Sequence, residues 1–176
     1  MAYCYSMVVM LFVALTGTAQ IHSSHEHRPE EVSLNVSPMF YPVDGVVVSG
    51  HHYRNGRFHH GLDISHNNRD TVKSCWLGRV RYAKTGYNGG YGYLVIVTNL
   101  NGLETYYAHL REILVEEGDW IPQGHPVGIV GSTGNSLGPH LHFEVRYRGL
   151  SLNPDDVIDK TRINLKRHGN IYRVTK

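Results

Sequence analysis

The chain has 176 residues and a formal net charge of +2 at pH 7, with 18% charged residues, 19 glycines and 12 tyrosines. This length fits one domain with short extensions and is sufficient to bury a core. The net charge is too small to indicate a nucleic-acid-binding protein. Frequent Gly and Tyr together with few charged residues favour an all-β protein with tight turns over a helical bundle.

The first 19 residues predict a secretory signal peptide. An apolar run over residues 7–15 is followed by small residues, and it is shorter than the roughly 20 apolar residues that span a bilayer. A membrane anchor is the alternative, because no Lys or Arg precedes the run. We expect export to the periplasm, envelope or medium, without stable membrane insertion after cleavage. Cleavage would remove Cys4 and leave Cys75, which we interpret as a small buried residue rather than a nucleophile.

The next segment, residues 20–38, is polar and without periodicity, which predicts a linker or arm. From residue 39 to 158, short β-branched or aromatic runs are separated by Gly and Asn, a pattern typical of strands and turns. Residues 159–176 form a polar, basic tail whose apolar positions are too scattered to predict an element. We therefore expect one mostly antiparallel all-β domain with few short helices.

Two local patterns within this domain give sharper predictions. Asn101 and Gly102 separate the runs VIVTN and ETYYAHL, and an Asn-Gly pair supplies the positive φ angles that a β-hairpin turn requires. The segment REILVEEGDW predicts at most one turn of helix, because Gly118 and Pro122 prevent its extension.

The segment GPHLHFEV predicts a strand with one polar and one apolar face. Because alternate side chains of a strand share a face, His140, His142 and Glu144 point one way and the Leu, Phe and Val between them point to the core. The two histidines are then about 6.6 Å apart along the strand, close enough to serve one polar site. A His-x-His strand of this kind indicates metal binding.

The segment RFHHGLD supplies the ligands that such a metal site would still need. His59 and Asp63 are about 13 Å apart along an ideal strand, so a bend is required, and Gly61 permits one. Together with His142 they leave the fourth position of a tetrahedral Zn²⁺ open to water, as in catalytic zinc sites. Two histidines and a carboxylate also form the iron site of non-haem oxygenases, although those enzymes favour a His-x-Asp spacing.

Several ordered motifs resemble the lysostaphin-type, or LytM-like, zinc endopeptidases that hydrolyse peptidoglycan peptides. The motifs are HHGLD, YGYLVIV, TYYAHL, GSTGNSLGPHLHFEV and SLNP, and the resemblance covers residues 42–154. It implies a compact antiparallel β-sheet groove with loops at its ends. It also implies that His59, Asp63 and His142 hold Zn²⁺, that His140 is the general base for a zinc-activated water, and that His109 stabilises the tetrahedral intermediate.

The function that this resemblance implies is hydrolysis of peptide cross-links in bacterial cell wall, by a chain that we expect to be a monomer. The alternative is a catalytically silent module that binds wall or regulates other hydrolases. Such relatives usually lose a ligand or a catalytic histidine, whereas all five positions are filled here. Taken alone, His109 fits a hydrogen-bonded structural histidine equally well. The sequence leaves open whether a glycine bridge or a bond between D-alanine and a diamino acid is cleaved.

Two further residues have two interpretations each, and one segment differs from the family pattern. Glu144 would either orient His142 or form a surface salt bridge, and Arg57 would either be structural or meet a substrate carboxylate. The chain has His51, His52, Tyr53 and Arg54 where the family usually has an aromatic-glycine pair before an arginine. This difference would change the groove wall but no ligand.

Overall fold

The computed structural model describes residues 31–65, 69–158, 162–169 and 171–175. The predicted signal peptide and the first part of the predicted arm lie outside this range. The described residues form strands joined by turns, with 3₁₀ helices at Asn88–Gly90 and Pro154–Asp156. In chain order the strands are β1 (Glu31–Asn35), β2 (Val46–Ser49), β3 (Tyr53–Arg54), β4 (Arg57–Phe58), β5 (Leu62–Ser65), β6 (Thr71–Lys73), β7 (Gly78–Lys84), β8 (Tyr93–Asn99), β9 (Glu104–Leu110), β10 (Glu112–Ile113), β11 (Trp120–Ile121), β12 (Pro126–Ile129), β13 (His140–Tyr147), β14 (Leu150–Leu152), β15 (Arg162–His168) and β16 (Ile171–Thr175).

Most strands belong to one large sheet with the order β1-β15-β16-β14-β13-β9-β8-β7-β11, to which β5 and β2 are added beside β13. A three-stranded sheet, β10-β12-β6, and the β3-β4 hairpin complete the fold. Neighbouring strands run antiparallel except for β14 and β16, which share one parallel pair. The all-β, mostly antiparallel prediction is confirmed.

Strand β13 organises the centre of the sheet. Its first half pairs with β5 and its last residues pair with β14 on the same side, while β9 lies along the other side. The apolar residues Leu141, Phe143 and Val145 have no exposed surface, so the predicted alternation of β13 is confirmed. They pack in one large cluster of buried side chains that includes Trp76 and Tyr107.

The hairpin predicted from Asn101 and Gly102 connects β8 and β9. Gly102 has a φ of 84°, and the Asn99 amide donates to the Leu103 carbonyl at 2.8 Å. The helical turn predicted over REILVEEGDW is wrong, because this segment contains β10 and β11. Both short strands find partners far along the chain, β12 and β7, and these long-range pairings outweigh weak local propensity.

The two chain ends are more regular than their sequences indicate. Residues 31–35, which the sequence places in a polar arm, form β1, and the described part of the predicted basic tail forms β15 and β16. Strand β1 pairs with β15, which lies near the other end of the described residues in sequence. Ile163 and Leu165 of β15 are buried against the core. Apolar residues at alternate positions become interpretable once this partner is known.

Within the described residues, no helix has the length and apolar character needed to cross a membrane.

Candidate metal centre

The register of the sheet brings the predicted ligands together. Strand β13 pairs His142 with Asp63 on β5, and the loop just before β5 carries His59. Because residues directly opposite in neighbouring strands lie on the same face, the His142 and Asp63 side chains meet above the sheet. The three side chains are buried, with relative exposures of 8% for His59, 6% for Asp63 and 7% for His142.

Gly61 allows His59 to approach Asp63, but for a different reason from the one that the sequence indicates. A Cβ atom at this position would lie 2.2 Å from the Phe143 carbonyl oxygen and 2.8 Å from Cγ of Glu144. Only a residue without a side chain lets the loop pack this closely on β13. Gly61 is therefore required by a close backbone approach, which holds the His59 loop against the strand that carries His142.

Three potential ligand atoms converge on one point. Oδ1 of Asp63 lies 3.0 Å from Nε2 of His59 and 2.8 Å from Nδ1 of His142, and the two nitrogens are 3.0 Å apart. Neighbouring ligands of a tetrahedral Zn²⁺ with bonds of about 2.0–2.1 Å are separated by about 3.3–3.4 Å. The triad therefore needs only a small expansion to accommodate such an ion, and it is the group of potential metal ligands found among the described residues.

The rings of His59 and His142 each make a hydrogen bond through the nitrogen that points away from the cluster. In the neutral form of each ring, the nitrogen that points into the cluster therefore carries no proton. Nδ1 of His59 lies 2.7 Å from the Gly50 carbonyl oxygen and must donate to it, so Nε2 keeps its lone pair. Nε2 of His142 donates to Oε1 of Glu144 at 2.9 Å, which leaves its Nδ1 unprotonated. Two lone pairs and a carboxylate oxygen then face one another, an arrangement that a divalent cation satisfies.

In the metal-free protein, a proton would be shared among the three potential ligand atoms. Burial lowers the pKa of His142, but the hydrogen bonds and charges of Asp63 and Glu144 outweigh burial and raise it to about 9. Burial acts to raise the pKa of Asp63, whereas its hydrogen bonds to His142 and His59 bring that pKa well below the usual range. A metal ion would compete with this shared proton, so metal binding releases a proton from the site.

A charged network holds the His142 ring from behind. Glu144 is 1% exposed and accepts a hydrogen bond from the Tyr91 hydroxyl at 2.9 Å, in addition to bonds from His142 and from Nε of Arg146. The Arg146 guanidinium also donates to the Tyr91 hydroxyl at 2.8 Å and lies 4.5 Å from the centre of the Tyr106 ring. Burial would raise the pKa of Glu144, but His142 and Arg146 lower it to about 2. Glu144 therefore orients His142, and the surface-salt-bridge interpretation is wrong.

Asp63 is held in a similar way. One guanidinium nitrogen of Arg54 donates to Oδ2 of Asp63 at 2.9 Å, and the other donates to Ser49 at 2.8 Å. This interaction fixes the carboxylate plane and leaves Oδ1 for the ligand cluster. Arg54 therefore supports the site, a role that the sequence analysis did not assign to it.

The two remaining histidines face the ligand cluster across the groove. The rings of His109 and His140 have centroids 4.8 Å apart, and Nε2 of His140 lies 3.6 Å from Oδ1 of Asp63. Nδ1 of His109 contacts the Thr133 carbonyl oxygen and Nδ1 of His140 contacts the Gly138 carbonyl oxygen, each at 2.8 Å. Both rings thus donate from Nδ1 to the backbone and keep Nε2 available for proton transfer.

The backbone of His109 is unusual for a strand residue. Its φ is 59°, in the left-handed region, at a shift of register between β8 and β9. Such irregularities redirect side chains and occur often near active sites. Burial lowers the pKa of His109 to about 4, and the neighbouring His142 and His140 act in the same direction. His109 is therefore neutral at pH 7.

The fold brings the five residues that were selected from the sequence into one groove; they are His59, Asp63, His109, His140 and His142. Cys75 lies elsewhere, fully buried, with its backbone amide bonded to the Tyr107 hydroxyl. Tyr91, Arg54 and Arg146 also support the site, although the sequence alone assigns them no role. The position of Arg146, two residues after Glu144 on the same strand, was the signal for that residue. Tyr91 and Arg54 reach the site through long-range packing that has no local signal.

Comparison with known sequences assigns the family. The profile of peptidase family M23 matches residues 57–154, more than half of the chain. This chain belongs to peptidase family M23. DD-carboxypeptidase/endopeptidase Mpg of Neisseria meningitidis is 36% identical to the chain over 134 residues, which cover 73% of this chain and 30% of that protein. Murein hydrolase activator NlpD of Salmonella typhimurium is 34% identical over 139 residues, or 78% of this chain and 36% of NlpD.

The fold of this M23 chain is also found in solved structures of other proteins. A zinc containing peptidase from Vibrio cholerae aligns over 64% of this chain and 37% of its own, with 30% identity and a TM-score of 0.59. The catalytic domain of lysostaphin from Staphylococcus simulans aligns over 73% and 91%, with 25% identity and a TM-score of 0.54. The expected lysostaphin-type fold is confirmed. The chain spans only about a third of the length of the two curated relatives named above.

Proposed function

We propose that this M23 chain is a zinc-dependent endopeptidase that hydrolyses peptide cross-links of bacterial peptidoglycan. The observation that carries the proposal is the convergence of two imidazole nitrogens and one carboxylate oxygen opposite two further histidines. A structural zinc site would be closed by a fourth protein ligand, whereas three ligands leave room for water and substrate. The named activities of Mpg and of the zinc containing peptidase support the same reaction class.

The donor set fits zinc. Imidazole nitrogen and carboxylate oxygen are both common zinc ligands, and His59, Asp63 and His142 would hold the ion. When bound, Zn²⁺ supplies a Lewis acid that polarises the scissile carbonyl and lowers the pKa of a coordinated water. Glu144 and Arg54 support this chemistry by fixing the orientation of His142 and Asp63.

His140 is the proposed general base. Its unprotonated Nε2 lies close to Asp63, and its Nδ1 is fixed by the Gly138 carbonyl and by Ser136 at 3.2 Å. In this position the ring can take a proton from the attacking water and return it to the leaving amine. His109 lies beside it, with the two ring centroids 4.8 Å apart, and is proposed to help stabilise the tetrahedral intermediate.

The second candidate function is a catalytically silent wall-binding or hydrolase-regulating module. The similarity to murein hydrolase activator NlpD favours it, because that name describes activation of hydrolases. Retention of all five histidine and aspartate positions favours catalysis instead. An iron oxygenase has less support, since the M23 profile covers the segment that carries these residues.

The test is incubation of the purified zinc-loaded chain with defined wall fragments, one set with glycine bridges and one with D-alanine linked to a diamino acid. A His140→Ala variant serves as the matched control, and metal content is measured for both proteins. We expect cleavage by the wild type and loss of cleavage by a variant that still binds zinc. Equal cleavage by both would remove His140 from the mechanism, and iron without zinc would overturn the peptidase assignment.

The cellular setting follows from the proposed substrate. We infer an exported protein of the periplasm, cell envelope or medium that acts as a monomer on peptidoglycan peptides. The apolar run at residues 7–15 and the envelope-related names of the relatives support this location. Cleavage of the predicted signal peptide is checked by sequencing the N-terminus of the exported protein.

A further inference from the structure

We propose that Arg57 binds a carboxylate of the peptide substrate beside the scissile amide, so that the preferred substrates are stem peptides with a free carboxylate at that position. This inference rests on the proposed function and specifies the substrate class of the same groove. It follows from the geometry of the β3-β4 hairpin and from the charges that line the groove.

The hairpin directs Arg57 towards the metal centre. Tyr53 pairs with Phe58, and Arg54 pairs with Arg57, so the aromatic pair lies on one face of the hairpin and the two arginines on the other. The guanidinium of Arg54 reaches Asp63, one of the proposed ligands, at 2.9 Å. Arg57 therefore shares a face with a residue that contacts a proposed ligand, and both arginines line the groove, as Phe58 does.

The β3-β4 hairpin also holds the backbone of Arg57 in place. Its turn consists of Asn55 and Gly56, with φ angles of 48° and 75°, as expected for a tight two-residue connection. On the opposite face, the Phe58 ring contacts Tyr53 at 5.2 Å and His51 at 4.8 Å between centroids. These contacts hold the strand that presents Arg57, which lies two residues before the ligand His59.

The two arginines differ in their charge environment. Arg54 is neutralised by Asp63, whereas none of the ion pairs between described residues includes Arg57, whose side chain is exposed. Like charges directly opposite each other on paired strands destabilise a hairpin unless a counter-charge is supplied. A substrate carboxylate between the hairpin and the metal centre would supply that counter-charge.

Among the described residues of the groove, no acidic side chain is left to compete for Arg57. Among the described lining residues the acidic side chains are Asp63 and Glu144. Asp63 is occupied by Arg54 and the two histidines, while Glu144 is occupied by His142, Arg146 and Tyr91. The opposite wall contributes uncharged residues such as Asn135 and Leu137. A planar guanidinium in this setting suits two-point recognition of a carboxylate.

Two substrate groups share this chemistry. One is the C-terminal carboxylate of a stem peptide whose last residue is removed. The other is the side-chain-end carboxylate of the diamino acid in a cross-linked dimer, which lies next to the bond that is cut. The two sources correspond to carboxypeptidase and endopeptidase action, and separate substrates distinguish them.

The experiment compares matched carboxylate and carboxamide substrates. The first pair is a stem peptide ending in D-alanyl-D-alanine, as the free acid and as the amide; the second is a D-alanine-linked dimer with the diamino acid carboxylate free or amidated. Zinc-loaded wild type, Arg57→Gln, Arg57→Lys and the distant surface control Arg173→Gln are assayed with each. We expect amidation to lower kcat/KM of wild type and Arg173→Gln by roughly tenfold to a hundredfold for one pair. Arg57→Gln should lose this discrimination, and Arg57→Lys should keep part of it.

The pair that shows discrimination identifies the source of the carboxylate. Equal amide sensitivity in wild type and Arg57→Gln, or no sensitivity in wild type, would overturn the inference while leaving the peptidase proposal intact. If the zinc-loaded wild type cleaves none of the substrates, the proposed function fails, and binding of the same four peptides to the loaded protein then tests Arg57. Tighter binding of a free acid that is lost in Arg57→Gln supports the inference; equal binding of acid and amide contradicts it.

Discussion

His142 and the other histidines of the site are held by different kinds of partner. His142 donates to the buried carboxylate of Glu144, which is itself bonded to Arg146 and Tyr91. His59, His109 and His140 donate to neutral backbone carbonyls instead. A carboxylate makes an imidazole more basic and a better ligand for a cation, whereas a carbonyl fixes the ring and leaves its free nitrogen able to exchange a proton. The carboxylate partner therefore sets His142 apart, whereas His59 differs from His109 and His140 by its 3.0 Å contact with Asp63.

The largest expected effect is at the ligand cluster itself. Replacing Asp63 with Ala removes the negative ligand and leaves Arg54 without its counter-charge. We expect zinc content to fall below stoichiometric levels and cleavage to fall at least about a thousandfold, since the metal carries both water activation and carbonyl polarisation. Metal analysis and turnover of a wall peptide provide the measurement. Full zinc loading in this variant would show that Asp63 is not a ligand.

His109 and His140, which lie outside the group of proposed ligands, should behave in the opposite way. His140→Ala and His109→Ala are each expected to lower kcat by roughly a hundredfold to ten-thousandfold while zinc affinity stays near that of the wild type. The double variant tests whether the rings act as one unit, because coupled residues give less than additive losses. A strong loss of zinc from either single variant would mean that the replaced histidine helps to hold the metal.

The Glu144→Gln variant tests the support behind His142. The amide keeps the size of the side chain but removes the charge that orients the ring and increases its basicity. We expect zinc affinity to weaken by roughly tenfold to a hundredfold, as measured by competition with a chromogenic chelator. The absorption spectrum of the Co²⁺-loaded protein should also shift, because the geometry at the metal changes. Tyr91→Phe, which removes one of the bonds to Glu144, serves as a milder matched change.

The smallest expected effect is a pH-dependent change in stability caused by His51, whose ring lies in a third kind of environment. Its Nε2 contacts the buried Ser151 hydroxyl at 3.0 Å, and burial, followed by the charge of His60, lowers its pKa to about 4. An ordinary unfolded histidine titrates near 6.5, so the unfolded chain binds more protons between these values. Stability should therefore be fully present above about pH 6.5 and fall as the pH is lowered towards 4.

Urea unfolding at several pH values, in wild type and His51→Gln, measures this contribution. Partial exposure of the ring reduces the difference to about 1 kcal/mol or less. Identical pH slopes in the two proteins would mean that His51 makes no contribution to the pH dependence.

The sequence predicted the centre of the molecule better than its periphery. The alternation of β13 and the Asn101-Gly102 turn are local signals, so the strand and the hairpin could be read directly. The proposed ligand residues could be selected because their chemistry is distinctive. By contrast, β1 depends on β15, a partner more than a hundred residues away, and no short window of sequence contains that information. Strands β15 and β16 pair with each other, but their apolar positions are too scattered in the sequence to predict either strand.

The roles of some site residues could not be predicted from the sequence for the same reason. Gly61 was correctly marked as important, but its requirement comes from the Phe143 carbonyl on another strand. Arg54 and Tyr91 act through contacts with Asp63 and Glu144 that only the folded chain creates. The supporting residues of a site are selected by three-dimensional packing, whereas the ligands themselves are recognisable by residue type.

The pairing of β1 with β15 matters for anyone who shortens the chain. A recombinant fragment that starts at residue 39 keeps the groove but strips one neighbour from β15, where Ile163 and Leu165 alternate with polar residues. The freed amides and carbonyls would form an unprotected sheet margin, which is a template for intermolecular stacking and precipitation. Retaining residues 31–35 keeps that margin covered.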